Sequence, residues 1–235
     1  MILRNDAGEI RLIWIVLLVL ISPTVINIVM ATIPFIYCII NGINDPIGQL
    51  ERSVEQPDWI GVLYLFVSAS KFLLITWFMI VRLEKRPFSL KEIGLDWRNG
   101  SALYIVVGAL LGISLKSILL FSLNNFSLIH FGSITHLLLL IISIVPSAFA
   151  EEMLFRVYLQ RRMIDQIGVL KGILLTSLLF IGFHFINRTP NVSQAFTFFY
   201  ALTGDFIIGY LYYRTRSLYF TGSIHAAMNI VAKLI

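Results

Sequence analysis

Long runs of apolar residues, separated by short polar stretches, dominate this chain. Most of the runs approach or exceed the ~20 residues that an α-helix needs to cross the hydrocarbon core of a bilayer. Because hydrocarbon offers no water to backbone N–H and C=O groups, spanning segments are helices or closed barrels. The pattern predicts an all-α polytopic membrane protein with about seven transmembrane helices, near residues 12–40, 59–81, 99–123, 135–160, 168–187, 196–213 and 217–234.

The polar stretch RLEKRPFSLKEIGLDWRN lies between the second and third predicted helices. Its apolar residues alternate with charges, as in an amphipathic segment that lies on a membrane surface. The chain contains no Gly/Ser linker, low-complexity tract or internal repeat. We therefore expect one transmembrane domain over residues 1–235, with its helices in a single bundle and this segment on the cytoplasmic side.

Composition supports this class, with 58% hydrophobic and only 13% charged residues. Lys and Arg favour cytoplasmic loops, and the predicted spans place twelve of them on one side and three, Arg52, Arg188 and Lys233, on the other. This bias predicts a multi-pass protein with a cytoplasmic N-terminus and an external C-terminus. The net charge of +5 then reflects topology and attraction to the lipid bilayer, and no nucleic-acid partner is expected.

Two adjacent carboxylates, Glu151 and Glu152, lie within the fourth predicted span. A carboxylate at mid-bilayer costs about 2.5–3.5 kcal/mol on insertion scales, so intramembrane acids indicate functional sites. Arg156 lies four residues after Glu152, and residues at this spacing share a helix face. We expect Glu152 and Arg156 to form an ion pair, while Glu151 points about 100° away and can face a cavity.

Two further predicted helices each carry a pair of residues at i,i+4 spacing that includes a histidine. The pairs are Phe180 with His184, and His225 with Asn229. At a rise of 1.5 Å per residue, Glu151, His184 and His225 lie roughly 12–20 Å from the cytoplasmic ends of their helices. This spread is compatible with one site near mid-membrane.

The motifs EExxxR (Glu151, Glu152, Arg156), FxxxH (Phe180, His184) and HxxxN (His225, Asn229), in this order, resemble the CAAX protease and bacteriocin-processing family. This family is also called the abortive-infection or type II CAAX prenyl endopeptidase family. The similarity covers about residues 140–230. One departure is Arg216, which stands where relatives commonly have glycine.

The resemblance implies an intramembrane endopeptidase acting on a hydrophobic, lipidated or membrane-anchored peptide or protein. By carry-over, Glu151 and His184 activate water, while His225 and Asn229 stabilise the oxyanion. Glu152, Arg156 and Phe180 organise the site.

No cofactor is required in this interpretation, although His184, His225 and Glu151 would supply three ligands to a zinc ion. Two alternatives remain open: a non-catalytic bacteriocin-immunity or scaffold protein of the same fold, and a proton-coupled transporter using intramembrane acids. The sequence leaves open the substrate, whether it is prenylated, and the oligomeric state.

Three charged residues in apolar segments lie outside the motifs. Asp205 is expected to make an interhelical bond, and Lys71 and Lys116 either extend to an interface or pair with Asp205. The small residues of the run Gly108–Gly112 predict close helix packing.

Overall fold

The computed structural model describes residues 12–42, 44–45, 70, 72–78, 89–98, 100–122, 134–185 and 192–234. Every regular element in these ranges is a helix, so the all-α prediction is confirmed. In chain order the helices are α1 (Leu12–Ile40), α2 (Ser101–Ser122), α3 (Ile134–Glu152), a π-helical segment (Met153–Gln160), α4 (Arg161–Ile167), α5 (Val169–Phe185), α6 (Val192–Thr215) and α7 (Leu218–Leu234). Residues 72–78 form a further helical stretch.

Six of the seven predicted spans coincide with these helices. Their ends agree within four residues, except that the helix predicted at 135–160 continues through the π-helical segment and α4 to Ile167. Most of the predicted span 59–81 lies outside the described residues. The number of membrane crossings therefore stays a prediction.

Two of the described helices are long and apolar enough to cross a membrane, Ser101–Ser122 and Leu137–Ile167, and Val169–His184 is a shorter apolar helix. One face of α2 is exposed: Leu103, Leu110 and Phe121 expose 63%, 59% and 74% of their surface. Apolar side chains on one outward surface are what a lipid environment tolerates and water does not.

Helix α2 packs closely against α7 through two glycines. A Cβ atom at Gly108 would lie 2.6 Å from the carbonyl oxygen of Phe220, and one at Gly112 would contact the carbonyl oxygen of Ile224. The glycines in the predicted packing run therefore let the two backbones approach within one molecule. Because both contacts advance by four residues on each helix, α2 and α7 run in the same direction where they touch.

Small residues also join α7 to α3. A Cβ atom at Gly222 would lie 2.9 Å from the ring of Phe149, so the aromatic ring occupies the space that a side chain would take. Ser143, Ala148 and Ala150 on α3 are buried. Helix α7 is thus held between α2 and α3, which fixes the position of His225 in its middle.

The segment 89–98 is tied to the start of α7. The backbone N–H of Leu218 donates to the carbonyl oxygen of Gly94 at 2.9 Å, and the Tyr219 hydroxyl donates to that of Leu95 at 3.1 Å. Ile93 is buried among Val157, Tyr212 and Leu218. The predicted amphipathic segment thus packs on the bundle through its apolar residues, while its cytoplasmic side stays a prediction.

Candidate active site

The two glutamates lie at the end of α3, where the helix changes its winding. In the π-helical segment that follows, residues 154–160 are all buried. Its i→i+5 hydrogen bonds widen the turn and bring residues four and five apart nearly into line. Glu152, Arg156 and Gln160 consequently project to one side, toward α6 and α7.

Glu152 and Arg156 form the ion pair predicted from their spacing. The Nε atom of Arg156 donates to Oε2 of Glu152 at 3.1 Å, and the two side chains expose only 0% and 1% of their surface. Arg156 also donates from one terminal nitrogen to Oε1 of Gln160 at 3.4 Å and from the other to Oδ1 of Asp205. The guanidinium is therefore held by three side chains.

His225, on α7, contacts both glutamates. Its Nδ1 lies 3.1 Å from Oε1 of Glu152, and its Nε2 lies 3.8 Å from Oε2 of Glu151. Since the Glu152 carboxylate also accepts from Arg156, it acts as an acceptor, and Nδ1 of His225 must donate to it. This hydrogen bond directs the other ring nitrogen, Nε2, toward Glu151.

His184, at the end of α5, approaches Glu151 from the other side. Its Nδ1 lies 2.8 Å from the carbonyl oxygen of Phe180, and its Nε2 lies 3.5 Å from Oε2 of Glu151. A carbonyl oxygen can only accept, so Nδ1 of His184 carries the proton. In the neutral form of His184 the lone pair of Nε2 faces this carboxylate oxygen, and in the protonated form Nε2–H faces it.

Phe180 forms a wall beside both histidines, as predicted. Its ring centroid lies 4.5 Å from that of His184 and 5.6 Å from that of His225, and the guanidinium carbon of Arg156 lies 5.4 Å from the centroid. Phe155 packs against it edge-on at 4.9 Å. Phe180 is thus a packing centre that fixes the two imidazole rings relative to the arginine.

A cavity of about 340 Å³ lies beside these residues, among α2, α5, α6 and α7. Its wall includes Glu152, His184, His225 and Asn229, and most of the rest is apolar. Glu151 was expected to face the cavity, but Glu152 contributes to the wall instead. Glu151 contacts the two histidines from α3, with 14% of its side chain exposed.

Asn229 lines the cavity one helical turn beyond His225. The two residues share a face, as their spacing predicts. Within the described part of the chain, Asn229 makes no hydrogen bond to the glutamates or histidines.

Two members of the buried cluster lie outside the family motifs. Asp205 on α6 makes the interhelical bond that the sequence analysis expects, with Arg156 as its partner, and Lys116 lines the cavity. Lys71 lies outside the described residues. The second member is Gln160, whose Nε2 donates to the carbonyl oxygen of Gly209 at 2.9 Å. Only the i,i+4 spacing from Arg156 marked Gln160 in the sequence.

Two of the separations among the three candidate metal ligands can be compared with those of a zinc site. Ligand atoms around tetrahedral zinc lie about 3.3–3.6 Å apart, since each is about 2.0–2.2 Å from the metal. Oε2 of Glu151 is 3.5 Å from one histidine nitrogen and 3.8 Å from the other. Among the residues that the structure describes, no group of three or more His, Cys, Asp or Glu side chains is arranged to hold a metal ion.

Residues 133–231, from the start of α3 into α7, match the family model described as "Type II CAAX prenyl endopeptidase Rce1-like". The predicted family is confirmed for this segment. The match includes every motif residue on α3, the π-helical segment, α5 and α7, and it agrees with the predicted core at 140–230. No curated protein and no solved structure matches the chain.

The Rce1-like family is a family of membrane-embedded proteases. Together with the apolar helices, the match over residues 133–231 supports a membrane-embedded protein of the protease class.

Proposed function

We propose that this protein is an intramembrane endopeptidase in which Glu151 and His184 activate a water molecule. The observation that supports this most directly is the 3.5 Å separation between Oε2 of Glu151 and Nε2 of His184. In the proposed resting state His184 is neutral with its proton on Nδ1, so both facing atoms are acceptors. A water molecule that donates one O–H to each satisfies both and keeps an oxygen lone pair for attack.

The proposed reaction needs no covalent intermediate on the protein. The water oxygen attacks the carbonyl carbon of the scissile amide while its proton moves to Glu151. The carbonyl oxygen becomes an oxyanion and accepts hydrogen bonds from the Asn229 amide and from doubly protonated His225, which Glu152 supports. Collapse of the intermediate breaks the C–N bond, and Glu151 returns the proton to the leaving amine. Donors preorganised in this way contribute several kcal/mol in a site that excludes water.

A substrate with an apolar segment fits the cavity beside this cluster. Its wall includes Leu115, Leu119, Ile207, Ile208 and Met228. Burial of such a segment is favourable by about 25 cal/mol per Å² relative to water. We therefore propose a hydrophobic, lipidated or membrane-anchored peptide as the substrate class, and a mechanism in which no metal takes part.

The test is proteolysis of a library of membrane peptides by the purified protein in nanodiscs. Wild type is compared with Glu151→Gln, which keeps the shape of the side chain and removes the base, with and without a chelator. Loss of cleavage in the variant, with full activity in the chelator, is expected.

Ser114→Ala is a control, because Ser114 is exposed on α2 outside the cavity wall and donates its hydroxyl to its own helix, at Leu110. Its activity should stay within about twofold of wild type. Loss of cleavage in chelator with recovery on zinc addition would contradict the metal-free mechanism. Absence of cleavage for every peptide, with biological activity retained by Glu151→Gln, would favour a non-catalytic role.

A further inference from the structure

Asp205 is a buried carboxylate that the catalytic motifs do not explain. It lies on α6, exposes 5% of its surface, lines the cavity and pairs with Arg156. A buried ion pair carries a large desolvation cost, so its presence calls for a role beyond joining two helices.

Joining α6 to the π-helical segment does not depend on Asp205 alone. One turn further along α6, the Gln160 side chain donates to the backbone of Gly209. Gly209 has no room for a side chain there, since its Cβ would lie 2.8 Å from Oε1 of Gln160. This neutral hydrogen bond already connects the two elements without burying a charge.

Asp205 supplies a hydrogen-bond acceptor for one terminal nitrogen of the Arg156 guanidinium, Nη2. Arginine prefers to bind a carboxylate through two parallel hydrogen bonds, here from Nε and the adjacent terminal nitrogen. In this structure Nε donates to Oε2 of Glu152, while a terminal nitrogen, Nη2, donates to Asp205. Glu152 is therefore bound through one oxygen only. Its second oxygen, Oε1, remains available to Nδ1 of His225 at 3.1 Å.

We propose that Asp205 is a positioning residue that keeps Oε1 of Glu152 bonded to His225 by occupying Nη2 of Arg156. Without Asp205, the guanidinium takes both oxygens of Glu152. His225 then loses the hydrogen bond that directs Nε2 toward Glu151 and the cavity. The catalytic part of this inference rests on the proposed function, whereas the hydrogen-bond part does not.

The experiment uses full-length protein labelled with ¹⁵N-histidine in nanodiscs, where the four histidines give a simple spectrum. The His225 signals are assigned from their absence in His225→Gln. Asp205→Leu, which matches the size of Asp but offers no acceptor, should shift the Nδ1–H signal of His225 away from its hydrogen-bonded position. With a cleaved peptide, kcat should fall at least about tenfold and KM should stay nearly constant.

Two further variants separate positioning from stability. Asp205→Asn keeps a neutral acceptor for Nη2 and should give a smaller shift and a partial recovery of kcat. Gln160→Met removes the neutral tether and should lower thermal stability while leaving the His225 signal in place.

An unchanged His225 signal in Asp205→Leu, or an equal shift in Gln160→Met, would overturn the proposal. Should Asp205→Leu fail to insert, Asp205→Asn carries the same test, because a signal identical to wild type would then overturn it. If wild type cleaves no peptide, the spectra still decide the role of Asp205, so failure of the proposed function remains distinguishable.

Discussion

Glu151 and Glu152 are neighbours in the chain but lie in two different environments. Glu152 exposes 1% of its side chain, and each of its oxygens has a hydrogen bond of 3.1 Å. The contacts of Glu151 are longer: 3.4 Å from the Ser147 hydroxyl and 3.5 and 3.8 Å from the two histidines. We call the Glu152, Arg156, Asp205 and Gln160 side chains the buried layer, and Glu151, His184 and His225 the open layer.

The difference shows that two adjacent residues of one helix can serve different purposes, Glu152 in the stability of the fold and Glu151 in the proposed reaction. In the buried layer, every charge faces an opposite charge at short range, which compensates the cost of desolvation. In the open layer, the separations leave room for a reactant, and His184 exposes 38% of its side chain. His225 connects the open layer to the buried layer, because one of its ring nitrogens faces Glu151 and the other faces Glu152.

The largest expected effect comes from breaking the buried layer. Arg156→Met leaves Glu152 and Asp205 buried without their cation, and such a loss costs about 3–5 kcal/mol. Thermal denaturation in detergent should show a large drop in stability together with low yield. A stable, well-inserted Arg156→Met protein would mean that the layer is not a structural unit.

Removing the base of the open layer should affect activity alone. Glu151→Gln is expected to lower kcat by about 10²–10⁴-fold, the usual contribution of a general base. The denaturation temperature should stay close to wild type, because the amide keeps the shape of the side chain and Glu151 lies 3.4–3.8 Å from Ser147 and the two histidines, farther than Glu152 lies from its partners. The measurement pairs kcat on a cleaved peptide with thermal denaturation. If Glu151→Gln destabilised the protein as much as Arg156→Met, the distinction between the layers would fail.

The open layer also depends on helix packing, since α2 sets the position of His225 on α7. Gly112→Val places a side chain against the backbone at Ile224, and overpacking of this kind costs about 1–3 kcal/mol. We expect lower stability and lower activity together. Leu110→Val on the exposed face of the same helix is the control, and equal behaviour of the two variants would argue against close α2–α7 contact.

The smallest expected effect on stability concerns Arg216, which precedes α7 and lies outside both layers. Arg216 has φ = 51°, in the left-handed region, and its guanidinium lies 5.3 Å from the Tyr213 ring centroid. Left-handed backbone costs a non-glycine residue about 1–2 kcal/mol, and an exposed cation–π contact returns about 0.5–1 kcal/mol. Arg216→Gly should therefore stabilise the protein by about 0.5 kcal/mol.

Arg216→Ala is the matched variant for this position, because it loses the ring contact and keeps the strain. It should destabilise the protein by about 0.5–1 kcal/mol, with peptide cleavage unchanged in both variants. An Arg216→Gly protein less stable than Arg216→Ala would show that the backbone at position 216 carries no strain that glycine relieves.

The sequence by itself determined the features that depend on local periodicity. Apolar runs predicted the helices, and the i,i+4 spacing predicted the Glu152–Arg156 pair and the shared face of His225 and Asn229. These succeed because neighbours on a helix are fixed by its geometry. The order of the motifs could also be read from the sequence, and it indicated the family whose model matches residues 133–231.

Which helices meet at the site depends on tertiary packing. The same packing determines which carboxylate oxygen faces which histidine nitrogen. Asp205 pairs with Arg156, 49 residues earlier in the chain, and local spacing did not indicate this partner. The π-helical winding and the placement of Glu152 in the cavity wall could not be predicted from the sequence either. These features depend on contacts between residues far apart in the chain. Such contacts are determined by how closely backbones approach at glycines and by the free-energy cost of desolvating charges. Local spacing along one helix determines neither of these.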